Sequence, residues 1–148
     1  CFDRGLKKVG WHCSADNTPS WKTAEKVGFR RNQVYNYYFY IFDPVDHLAE
    51  LGWHYYKKAE YQKTVSYYER VFAQRQENPD YYYHLAALAW AQLGNKSKAL
   101  LNLSLAAKAG WAHPRFTDEQ PAFEILKDQP DWQLVMERIH QNVPGGEH

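Results

Sequence analysis

From Pro44 onward the apolar residues recur at helical spacing. Leu51, Gly52 and Tyr55 follow Leu48 by 3, 4 and 7 positions, which places all four on one stripe of a helix. The same periodicity predicts helices over 46–58, 61–76, 80–93 and 96–109. The pattern then shortens. "EQPAFEILK" predicts a brief helix, Pro130 interrupts it, and "DWQLVMERIH" predicts a last one. The tail "VPGGEH", residues 143–148, is read as frayed.

A longer period lies over the helical one. Pro44, Pro79 and Pro114 stand 35 residues apart. Trp53, Leu88 and Phe123 keep the same step, as do Tyr55, Trp90 and Ile125. Ala59 aligns with Gly94, each between two predicted helices. A step of this length predicts stacked helical hairpins, with an A and a B helix per repeat. The units are 44–78, 79–113 and a shortened cap, 114–142.

Residues 1–43 follow a different pattern. "CFDRGLKK" reads as the end of a helix, closed by Gly5 and two lysines. "VGWHCSA" predicts a strand over 8–13, and "FRRNQVYNYYFYIF" predicts one or two strands over 29–42. Between them Thr18 is expected as an N-cap and Pro19 as the first helical residue. That helix runs to about Val27, with Gly28 at its C-terminal stop. The chain opens on Cys1 rather than Met, so an incomplete N-terminus is expected.

Composition narrows the function classes. Aromatic residues are 17% of the chain, enough to expect rings at helix seams or in a groove. The net charge is +1 and no basic run occurs, which argues against a nucleic-acid partner. The charge is uneven: residues 1–43 carry 7 Lys+Arg against 4 Asp+Glu, or +3, and the remainder 11 against 13, or −2. Two cysteines form neither a disulfide framework nor a zinc site, and a reducing cytosol fits them best. No apolar run approaches membrane-spanning length, so neither a membrane partner nor a membrane location is expected.

Two family resemblances follow from particular residues. Gly52, Tyr55, Tyr61 and Tyr68 in the first hairpin, with Gly94, Ala99 and Ala106 in the second, resemble the tetratricopeptide repeat. Thr64 and Val71 stand where Ala99 and Ala106 stand one repeat on. That resemblance covers 45–110 well and 111–140 loosely. It implies protein or peptide binding on a concave surface lined by A helices.

"ADNTPSWKTAEKVGF" resembles the last block of the GNAT acetyltransferases, through Asn17, Ser20, Lys26, Gly28 and Phe29. It implies acetyl-CoA as cofactor and acyl transfer to an amine, with Asn17 and Ser20 near the cofactor; from chemistry alone Asn17 is instead a second candidate to cap the helix. The glycine-rich loop of that family is not in this sequence and is expected upstream of Cys1. Ala24 stands where many members carry a Tyr acid, so no catalytic residue is assigned. The resulting fold class is mainly α: a truncated α/β, GNAT-like segment over 1–43, then an α-α superhelix of tetratricopeptide-type hairpins. The expected function is a fragment of an acetyltransferase, inactive alone, that carries a protein-interaction module. The alternative is a non-catalytic peptide-binding scaffold with a vestigial α/β segment.

Helix phase places Ala49, Trp53, Tyr56 and Lys57 on the groove, with Tyr81, His84, Leu88 and Gln92 as their neighbours one repeat on. The competing reading packs several of these rings against the third unit or the α/β segment. His12 and Cys13, adjacent in a strand, point to opposite faces and form no dyad. Cys13 is expected to be buried as a small apolar residue. His47, Glu50 and His54 share a helix face, but the histidines lie about 10.5 Å apart along the axis. That is too far for one ion at bonds of about 2 Å, so no metal is expected.

Overall fold

The computed structural model describes residues 10–35 and 41–144. The chain divides into two compact units, Cys1–Tyr40 and Ile41–His148. Helices dominate, and no strand forms among the described residues.

In the first unit, α1 spans Thr18–Lys26. Its N-cap is Asn17 rather than Thr18, because the Asn17 carboxamide oxygen accepts the Ser20 N–H at 3.2 Å. Its end is set by Gly28 at φ 93° and by the Phe29 N–H, which donates to the Ala24 carbonyl at 3.0 Å. Trp11 packs its ring 5.7 Å from that of Phe29 and donates from Nε1 to the Ser20 hydroxyl at 3.1 Å. The predicted strands are corrected over 10–13, 29–35 and 41–42, which form none. β-propensity becomes a strand only where a neighbour takes up the free N–H and C=O groups, and no described residue does so here. The rest of both strand predictions, the predicted helix end over 1–8 and the last four residues of the tail lie outside the described residues.

The second unit is α2 (Pro44–Lys57), α3 (Tyr61–Gln74), α4 (Asp80–Gln92), α5 (Lys96–Lys108), α6 (Pro114–Asp118), a 3-10 helix (Pro121–Leu126) and α7 (Pro130–Gln141). The proline step is visible in the architecture: Pro44 and Pro114 open α2 and α6, and Pro79 caps α4. Proline suits these places because the first helical N–H has no intrahelical partner. The Asp43 carboxylate accepts the Val45 N–H at 2.7 Å at the start of α2. The Asn95 side chain accepts the Lys98 N–H at 3.0 Å at the start of α5. Ala59 at φ 57° and Gly94 at φ 75° turn the chain back between the helices of each hairpin. Glycine takes this conformation freely, and alanine at a cost of about 1 kcal/mol. Helix α6 was not foreseen from the sequence, and "PAFEIL" is 3-10 rather than α.

The hairpins α2–α3 and α4–α5 stack through α3 against α4. At the α2–α3 crossing, Gly52 lets the buried Tyr68 ring lie against the α2 backbone. A Cβ there would stand 3.0 Å from Tyr68 Cε2. Arg75 joins three helix ends. It donates to Asp46 at 2.8 Å and to Asp43 at 2.7 Å, while the Tyr82 hydroxyl donates to Asp46 at 3.3 Å. The Asp43 carboxyl is held below its usual range by the Val45 N–H first, then by the Arg75 charge. At the far end, Asn142 donates from Nδ2 to the carbonyls of Ala107 and Trp111 at 2.6 and 3.0 Å. This fastens the end of α7 to the end of α5.

Gly52→Ala tests the close crossing. Tyr68 is held between Phe72 and Tyr82, with ring centroids at 6.1 and 5.9 Å, and cannot swing away. Overpacking costs about 1–3 kcal/mol and the gain in helix propensity returns about 1. Urea unfolding should therefore show a net loss of up to about 2 kcal/mol; a raised midpoint would refute the crossing as described.

Candidate functional site

The eight residues assigned by helix phase to the groove do not share a surface. Ala49, His84 and Leu88 are 2%, 2% and 4% exposed and belong to the core. The prediction for these three is corrected: Ala49 packs with Leu48, Tyr68 and Tyr82, while the segment after α5 covers His84 and Leu88. The His84 ring stacks on Trp111 at 4.2 Å, and Phe116 and Phe123 each lie 5.6 Å from it. Leu88 joins the same cluster as Phe123 and Leu126. The A-helix side of α4 is thus filled by the chain's own following segment.

Trp53, Tyr56 and Lys57 do meet. The Trp53 and Tyr56 rings stack at 5.7 Å, and Lys57 Nζ stands 5.6 Å over the Trp53 ring. Tyr81 and Gln92 are exposed at opposite ends of α4, about 16 Å apart along the axis. They extend no continuous face from Trp53.

The concave feature of this unit lies elsewhere. Helices α3 and α5 are held apart across α4, leaving a cleft of about 210 Å³. Val65, Tyr68 and Phe72 of α3 form one wall and Leu101 and Leu105 of α5 the other. Ala86 and Trp90 of α4 form the floor. Lys98 Nζ stands 4.0 Å over the Trp90 ring and 3.0 Å from the Glu69 carboxylate, so the two walls are bridged by one ion pair. The side chains of that pair are 47% and 56% exposed, which keeps it weak, about 0–1 kcal/mol. An apolar cleft whose rim holds an exposed Leu101 can take a side chain from another molecule.

No family model, curated protein or solved structure matches the chain. The candidate chemistry therefore rests on geometry alone.

Asn17 and Ser20, the residues implied for acetyl-CoA, form the cap of α1. The Asn17 carboxamide oxygen accepts the Ser20 N–H, and the Ser20 hydroxyl accepts from Trp11. The N–H groups that open α1 are used as well: Thr18 donates to the Asp16 carbonyl at 2.8 Å, and Trp21 to the Asn17 carbonyl at 3.3 Å. Cys13 is exposed, not buried as expected, and His12 Nδ1 lies 2.7 Å from the Tyr35 hydroxyl. Among the described residues no group of three His, Cys, Asp or Glu could hold a metal ion, and no helix is long and apolar enough to cross a membrane.

His84 makes the helical unit sensitive to acid. Burial lowers its pKa from 6.5 to about 3, with the neighbouring His113 adding to the effect, and its Nε2 has no hydrogen-bond partner. The folded form holds the neutral ring, while the unfolded chain takes up a proton below its ordinary pKa. Stability should therefore be full above pH 6.5 and fall as the pH drops towards 3, by up to about 1.4 kcal/mol per pH unit. Urea midpoints measured from pH 7 to 4 should show this slope, and His84→Phe should lose most of it. Equal slopes in the two proteins would remove His84 as the cause.

Proposed function

We propose that the helical unit is a non-catalytic binding module for a segment of another protein. The observation that carries this reading is the cleft between α3 and α5: apolar, open to solvent, and walled by two helices, as a groove for a helical or extended segment would be. The tetratricopeptide-like 35-residue step agrees with it, since stacked hairpins supply rigid grooves. The binding face proposed here is the B-helix side, because the A-helix side of α4 is filled by Trp111 and Phe123.

Panning a peptide-display library against the whole chain tests this reading. Enriched peptides should lose affinity by about tenfold with Leu101→Gln, the order expected for an apolar anchor worth about 1–2 kcal/mol. Trp53→Ala should have little effect. Dependence on Trp53 alone would move the site to the α2 surface, and no enriched peptide at all would sink the module reading.

A second reading, a segment of a GNAT-type acetyltransferase, is favoured by one feature. A short Asn-capped helix followed by Gly28 and Phe29 stands in the order that the resemblance implies. Because this sequence holds no glycine-rich pyrophosphate loop, it is expected to show no acetyl-CoA turnover with amine acceptors. Release of free thiol above the background rate would overturn that expectation.

A further inference from the structure

The α5 wall of the cleft carries an ordered stripe. Lys98, Leu101, Leu105 and Lys108 follow one another at spacings of three, four and three residues, which puts them on one face of the helix. The two lysines stand ten residues apart, about 15 Å along the axis. Leu101, between them, is 59% exposed. Helix α5 holds Lys96, Lys98 and Lys108 and no carboxylate, and the sole carboxylate lining the cleft is Glu69. Glu69 is paired to Lys98, whereas Lys108 makes no ion pair with a described residue. The cleft volume of about 210 Å³ exceeds the ~150 Å³ that admits a benzene-sized group.

Resting on the binding reading above, we propose that this cleft takes an amphipathic helix from an acidic partner segment. Its apolar face lies on Leu101 and Leu105 with one large side chain entering the cleft, and its carboxylates engage Lys98 and Lys108.

Charge complementarity selects this occupant. A basic segment would meet both lysines, and a neutral one would leave Lys108 unpaired beside a newly buried leucine. A partner carboxylate also competes with Glu69 for Lys98, and an exposed ion pair exchanges at small cost. The distance between the lysines matches about three turns of helix, so an incoming helix can reach both while its middle covers the leucines.

The probes are two labelled 14-residue peptides, titrated into the whole chain and followed by fluorescence anisotropy. Both carry leucines at three- and four-residue spacing. One has Glu at its polar positions and the other has Lys. The Glu peptide should bind about tenfold more tightly at low salt, with the gap narrowing as salt rises. The double variant Lys98→Glu/Lys108→Glu should reverse the preference. Leu101→Gln should weaken the Glu peptide about tenfold. Glu69→Gln should tighten it by about twofold or more, since Lys98 is then free. These positions are exposed, and unchanged thermal melting of each variant confirms the fold. Equal binding of the two peptides, still weakened by Leu101→Gln, overturns the acidic partner while the cleft stands as a binding site. Binding indifferent to Leu101→Gln and to the charge reversal overturns the cleft itself. No binding of either peptide overturns the acidic-helix occupant, and the broader module reading then stands or falls on the display library.

Discussion

Helix α4 has nine of its thirteen residues buried, and a helix so enclosed must be covered on every side. That requirement organises the second unit. Helices α3 and α5 cover one side, each leading from its own hairpin turn. The 3-10 helix and Trp111 cover the other. The small residues Ala86, Ala87, Ala89 and Ala91 let these neighbours come close. The partner helices answer with small or β-branched residues where they meet it, such as Val71 in α3 and Ala99 and Ala106 in α5. Enlarging any of them would push a helix off α4 and open a void on the far side.

The same enclosure decides where binding can occur. In a stack of hairpins the A-helix side is the obvious groove, yet here the segment after α5 folds back over it. Trp111 is fixed by its Nε1 bond to Thr117 at 2.9 Å, and the Thr117 hydroxyl in turn donates to the His113 carbonyl at 2.8 Å. A flat, neutral His84 ring completes the stack, although its Nε2 lacks a partner. A desolvated polar atom without a hydrogen bond costs about 1–3 kcal/mol. The aromatic faces around it offset that loss through contacts worth about 0.5–1.5 kcal/mol each.

Much of this was legible in the sequence, and the remainder failed for identifiable reasons. The step linking Pro44, Pro79 and Pro114 marked the unit starts, and each proline stands at a helix start although α6 itself was not expected, because proline suits a first turn and obstructs a helix interior. Ala59 and Gly94 marked the hairpin turns because the backbone must take positive φ there. The groove assignment had the helix phase of Ala49, His84 and Leu88 but not their occupancy, since phase says which way a residue points and nothing about what lies opposite. A signal was present: "DYYYHLAALAWAQ" has no polar face, which already implies cover on both sides. The cleft had its own signal in two leucines between two lysines on α5. The strand expectations failed because propensity is local while a strand needs a neighbour.

The cleft is a consequence of this packing. Two helices that both pack on a third cannot also pack fully on one another, unless large side chains fill the wedge between them. Here the floor contains Ala86, and Leu101 on the α5 wall stays 59% exposed, so the wedge is not filled. On the cleft side the Lys98 ammonium lies over the Trp90 ring at 4.0 Å. That cover is held by a weak, exposed ion pair rather than by packed side chains. The wall most easily rearranged therefore stands over the largest apolar ring in the cleft. A ligand that supplies its own apolar group and its own carboxylate replaces both functions of that cover. It leaves no buried charge unpaired, and helices α3, α4 and α5 keep their places.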